Sequence, residues 1–199
     1  RRLIIMRKFL RIIILGMSFL IALTACDKHN NVDKKNEIIV YGDYKCPYCK
    51  ELEDKIMPKI KKGYINKGNT KYKFINVAFL GNDSIKGSRA GHAVEDIAPK
   101  EYLHFQNILF SKQPNNENKW LTEKLIDKQV DKLNISNNTK KKIKKDYKTK
   151  GSKAWIEASN DKKLAKKKKI NEIPTVFINK SKIENPENLK HWTRELKKY

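Results

Sequence analysis

Cys46-Pro47-Tyr48-Cys49 places two cysteines two residues apart, the pair in this sequence best able to do chemistry together. Such a pair serves thiol–disulfide exchange, half of a zinc site, or a structural disulfide. Zinc normally takes four ligands, usually from two such pairs. The third cysteine is Cys26, and His29, His92, His104 and His191 form no pair at metal spacing, so no metal is expected. A disulfide closing a two-residue loop restrains little chain entropy. Exchange chemistry is the reading that the flanking sequence favours.

The elements around the pair would position it for that chemistry. Ile38-Ile39-Val40-Tyr41 reads as a buried strand, and Gly42-Asp43-Tyr44-Lys45 as the turn leaving it. After the cysteines, Leu52, Ile56 and Ile60 recur at helical spacing. Cys46 then lies at a helix N-terminus, where unpaired N–H groups and the helix dipole stabilise a thiolate. A thiolate is the attacking species in exchange, and this setting lowers a cysteine pKa below its free value of about 8.5. Cys49, one turn on, can close the ring and release a mixed disulfide.

The start of the sequence indicates a compartment. Met6-Arg7-Lys8 and the apolar run Phe9 to Ala25, interrupted mainly by Arg11, form a signal-peptide pattern over 1–25. Arg1 to Ile5 stand before Met6, which reads as the initiator. Leu23-Thr24-Ala25-Cys26 looks like a lipobox, in which Cys26 would be diacylated and anchored to a membrane. An uncleaved transmembrane anchor fits this short, Arg-interrupted run less well. Lipidation would consume Cys26 and leave Cys46 and Cys49 as a clean redox pair in a disulfide-permissive, extracytoplasmic compartment. Residues 26–36, polar and aperiodic, read as a flexible tether.

The chain has 199 residues and a net charge of +23. Removing 1–25 takes away five positive charges and no negative one, leaving +18. No nucleic-acid motif accompanies the charge, and no nucleic-acid partner is expected. A basic surface would rest against anionic lipid or cell-wall polymer; scattered, solvated lysines explain the composition equally well.

Beyond the first helix, Lys71 to Phe79 alternates and then turns apolar, as a strand entering a core does. Strand, helix, strand makes a right-handed βαβ unit with parallel strands. Pro58 should kink its helix. Residues 81–151 read as helical, with Tyr102, Phe105 and Leu109 on one face and Leu121, Leu125, Ile126, Val130 and Leu133 on another. Asn- and Gln-rich breaks fall at 113–118 and 134–138. Ser152 to Lys169 forms a further helix, with Trp155 as its core anchor. Thr175-Val176-Phe177-Ile178 is a strand, Asn179-Lys180-Ser181 a turn into Lys182-Ile183-Glu184, and Pro186 opens a closing helix with Leu189, Trp192 and Leu196. The class is α/β, with helices on both faces of a small mixed sheet.

Val40 to Cys49, the helical stretch, and Glu172-Ile173-Pro174-Thr175-Val176-Phe177-Ile178-Asn179 before the hairpin together resemble the DsbA family, in its lipoprotein form from Gram-positive bacteria. The resemblance implies a thioredoxin-like domain over 37–80 and 152–199 with a helical insertion over 81–151. It implies an exposed nucleophile at Cys46 and a buried resolving partner at Cys49, with Pro47 and Tyr48 between them in the active-site motif. It makes Ile173-Pro174 a cis peptide beside the site, with backbone that binds an extended substrate segment.

The activity so implied is a dithiol oxidase anchored at the extracytoplasmic membrane face, acting as a monomer on proteins with reduced cysteines. No cofactor is expected beyond the Cys46–Cys49 disulfide, and the sequence names no redox partner. A reductase or isomerase on the same fold, and a basic surface binder with a non-catalytic site, are the rival readings. Two positions depart from the family: Val40 stands where many relatives carry a buried acid, and Ile173 where several have threonine or valine.

Overall fold

The computed structural model describes residues 35–115 and 119–198. The signal segment, Cys26 and the tether up to Lys34 lie outside the described residues.

Hydrophobic alternation builds the sheet. In β1 (Asn36–Gly42), Ile38 and Val40 point to one face while Ile39 and Tyr41 point to the other. β1 is central. It pairs in parallel with β2 (Thr70–Asn76) and antiparallel with β3 (Thr175–Ile178), which pairs with β4 (Ser181–Lys182), giving the order β2-β1-β3-β4. Val40 is flanked by Phe74 and Val176, so the position of the relatives' acid is fully apolar here. The tether reading ends early, because Asn36 is buried and opens β1: its amide donates to the Leu196 carbonyl at 3.2 Å.

Between β1 and β2 run α1 (Pro47–Lys55) and α2 (Met57–Gly63), broken at Ile56 as Pro58 requires. Without an N–H, Pro58 cannot continue the ladder; Lys59 and Ile60 N–H both turn to the Ile56 carbonyl instead. Four helices follow β2: α3 (Ser84–Ile97), α4 (Tyr102–Phe110), α5 (Glu123–Val130) and α6 (Asn137–Lys148). Then come α7 (Lys153–Lys167) and, after the hairpin, α8 (Leu189–Leu196). The Ile38/Val40 face meets Leu52, Phe105, Trp192 and Leu196 in the main core. The Tyr41 face meets Ala165, with Phe177 edge-on to Tyr41 at 6.0 Å. Among the described residues no helix is long and apolar enough to cross a membrane.

Four details correct the sequence reading. Trp155 is not the anchor of α7; the inward stripe is Ala154, Ala158, Asp161 and Ala165, small enough for α7 to approach α3 closely. β2 stops at Asn76, whose side chain accepts the Ala78 N–H at 2.9 Å while Ala78 adopts φ +50°, so Phe79 leaves the core and is 49% exposed. β4 is only Ser181–Lys182, after a two-residue turn with both Asn179 and Lys180 left-handed, the tight hairpin geometry. The closing helix begins at Leu189, capped by Asn188; Pro186 precedes it and accepts the Trp192 indole N–H at 2.8 Å.

Candidate active site

The turn from β1 into α1 is shaped by what its side chains bond. A Cβ on Gly42 would lie 2.6 Å from the Phe74 ring and 3.2 Å from Cys49 Sγ, so glycine is needed for the strand to pass beneath the thiol. Asp43 is fully buried. Its carboxylate accepts from Lys45 N–H at 2.9 Å, Leu80 N–H at 3.2 Å and the Ser84 hydroxyl, and its carbonyl accepts Cys46 N–H at 3.0 Å. Lys45 in turn forms a buried ion pair with Asp83 at 2.8 Å. Asp83 also accepts the N–H groups of Trp120 and Leu121 at 3.0 and 3.2 Å. Burial opposes its charge, but Lys45 and the backbone N–H groups of Leu121 and of Asp83 itself hold its carboxyl below the usual range.

Cys46 is the N-cap of α1, extended in backbone, and its sulfur accepts the Cys49 N–H at 3.3 Å. Pro47 occupies the first helical position, where its missing N–H costs nothing. Both cysteines are free thiols. The Cys49 thiol and then the Cys49 and Tyr48 backbone N–H groups hold the Cys46 pKa below its ordinary value, against burial and the Asp43 charge. Burial pushes the Cys49 thiol well above its own, reinforced by its role as donor to Cys46. The pair is therefore split into an easily ionised and a reluctant thiol.

Ile173-Pro174 is a cis peptide, and the Ile173 carbonyl faces the Cys46 thiol at 3.7 Å, close enough to accept its proton's hydrogen bond. The structure thus brings together Cys46, Cys49, Pro47, Tyr48, Ile173 and Pro174. One placement differs from expectation: Cys46 is only 3% exposed, hardly more than Cys49 at 2%. Cys46 lines a groove of about 540 Å³ whose rim carries Tyr48, Phe79 and Leu80, exposed by 60, 49 and 36%.

Sequence reasoning put Tyr48 in the active-site motif, but it read Phe79 as the end of a strand entering the core and did not single out Leu80. It placed Asp43 in the turn but missed the bonds of its carboxylate, for which an aspartate three residues before an N-cap is a signal, and it missed the Lys45–Asp83 pair. Asp83, distant in sequence, gave none. Glu53 escaped as well. Buried one turn beyond Cys49, it pairs with Lys61 and accepts from Gln106, which also donates to Tyr72.

A family profile described as thioredoxin matches residues 31–198. Disulfide bond formation protein D of Bacillus subtilis (strain 168) is 34% identical over 149 residues, covering 74% of this chain and 65% of that protein. A probable disulfide bond formation protein D of Bacillus anthracis is 31% identical over 160 residues, covering 78% of this chain and 70% of its own length. The chain thus spans a little under two thirds of the first of these relatives. The crystal structure of oxidised BdbD from Bacillus subtilis superposes with a TM-score of 0.73 at 29% identity, covering 84% of this chain and 88% of that one. The chain belongs to the thioredoxin family, in its DsbA-like branch of thiol–disulfide oxidoreductases.

Proposed function

We propose that this protein is an extracytoplasmic dithiol oxidase that transfers the Cys46–Cys49 disulfide to reduced polypeptides, with no other cofactor. The observation that carries this is the split pair: Cys46 is held low by donors at the start of α1, while Cys49 is held high by burial. Stabilising the Cys46 thiolate stabilises the reduced enzyme, and that makes its disulfide oxidising.

The reaction follows from these roles. A substrate thiolate attacks Cys46 Sγ, the Cys46–Cys49 bond breaks, and Cys49 leaves and takes up a proton. A second substrate thiolate then attacks the substrate sulfur of the mixed disulfide, and Cys46 leaves as its stabilised thiolate. The substrate dithiol is oxidised by two electrons and the enzyme disulfide is reduced by two. The Ile173 carbonyl and the groove rim hold the substrate segment against Cys46. Localisation follows from the sequence: the signal pattern and the lipid acceptor Cys26 would fix a monomeric domain to the outer membrane face.

Equilibration with glutathione tests the direction. A potential well above the roughly −270 mV of thioredoxin, towards the roughly −120 mV of a strong oxidant, is expected. A value near or below that of thioredoxin would make the protein a reductase.

A further inference from the structure

A second cavity, of about 580 Å³, adjoins the groove beside Cys46: both are walled by Phe79, Gly81 and Asn82. Its character is different. Arg89 from α3 and Lys162 and Lys163 from α7 line it, with Ser159, and no acidic side chain does. Arg89 is fixed rather than free. Its guanidinium lies 3.1 Å above the centre of the Trp155 ring, a cation–π contact that sets the plane of the fork. Its Nε is buried and has no hydrogen-bond partner. That nitrogen is out of reach of the cavity, so a ligand there would meet the terminal nitrogens of the fork, whose planar, charged geometry matches a carboxylate. The Trp155 that fails to anchor the core is thus the platform on which Arg89 rests.

We propose that this cavity is a subsite for an acidic residue of the polypeptide whose cysteine is at Cys46, with the Asp or Glu carboxylate seated on Arg89 and ringed by Lys162 and Lys163. The assignment rests on the oxidase reading and adds a substrate preference to it: cysteines with an acidic residue a short distance along the same chain. Continuity decides for a polypeptide over a free anion or a lipid headgroup, since an extended segment leaving Cys46 across Phe79 and Asn82 enters the basic cavity directly.

The test uses the purified protein in its disulfide form and a set of dithiol peptides in which one glutamate is moved stepwise away from the cysteines on either side. Each is paired with its glutamine counterpart. At the best position the glutamate peptide should be oxidised with a kcat/KM roughly tenfold higher, the scale of one charge-assisted hydrogen bond, and the advantage should shrink with added salt. Arg89→Gln should abolish the preference while leaving oxidation of the glutamine peptides and of dithiothreitol unchanged. Because Arg89 packs on Trp155, the exposed pair Lys162→Gln, Lys163→Gln provides a second variant, expected to weaken the same preference. Equal rates at every position, or a preference that survives in Arg89→Gln, would overturn the assignment. So would binding to vesicles of anionic lipid lost in Arg89→Gln without any peptide preference. Failure to oxidise even dithiothreitol would refute the oxidase reading instead.

Discussion

At the scale of single residues, the chemistry turns on how two identical thiols are made unlike. Cys46 gains donors at a helix start and Cys49 loses water, so ultraviolet titration of single-cysteine variants should show Cys46 ionising well below Cys49. Equal titrations would remove the basis for an oxidising pair. Replacing Cys49 by alanine should leave substrates covalently held on Cys46, visible as mixed disulfides on a non-reducing gel. Gly42 is the residue whose replacement tells most about packing. Gly42→Ala would force a methyl into the Phe74 ring and against the Cys49 sulfur, and should cost about 1–3 kcal/mol in urea unfolding. The absent acid at Val40 leaves no carboxylate between the central strands. Asp43 is the carboxylate whose charge bears on both thiols, and it opposes the ionisation of each.

At the scale of elements, the pair is held by loops and not by the sheet alone. The Lys45–Asp83 bridge is buried, so Lys45→Met leaves a carboxylate without its cation and should destabilise by roughly 3 kcal/mol, read as a lower melting temperature. Adding Asp83→Asn should recover much of that loss. Much of this architecture was legible beforehand. The apolar run Ile38 to Tyr41, helical Leu52, Ile56 and Ile60, and Pro58 at the break are local patterns, and local pattern is what a sequence carries directly. Ile173-Pro174 was placed through family resemblance, and no spacing shows its isomer. Trp155 was misread because a large apolar side chain was assigned to the core by size, and Phe79 because the apolar end of β2 was read as running on into the core. Their positions are fixed instead by the small residues on the inward stripe of α7 and by the Asn76–Ala78 turn, which are tertiary facts.

For the molecule as a whole, the split thiols make folding stability depend on redox state and pH together. Cys46 ionises more readily in the fold than in the unfolded chain. Its contribution to the reduced form is complete above the ordinary thiol value of about 8.5 and is lost as pH falls through the lowered folded value. Cys49 has the opposite sign: its contribution is present below about 8.5 and is lost as pH rises towards its raised value. The stability of the reduced form relative to the disulfide form should therefore climb with pH up to about 8.5 and then level or fall. Urea unfolding of both forms across pH checks this, and a flat difference would contradict it. Cys26→Ser should leave dithiol oxidation by the purified protein unchanged, because the described domain builds its site without that residue.

The two aspartates of the site have a consequence for motion. Asp43 and Asp83 receive the amides of Lys45, Leu80, Trp120 and Leu121, all of which lie outside helices and strands. Loop amides ordinarily exchange with solvent deuterium quickly. These four should exchange slowly and as one group, since no single loop can open without releasing a buried carboxylate. Acidification through the depressed range of Asp83 should free Trp120 and Leu121, so that the wall beside Cys46 loosens while the sheet beneath it stays closed.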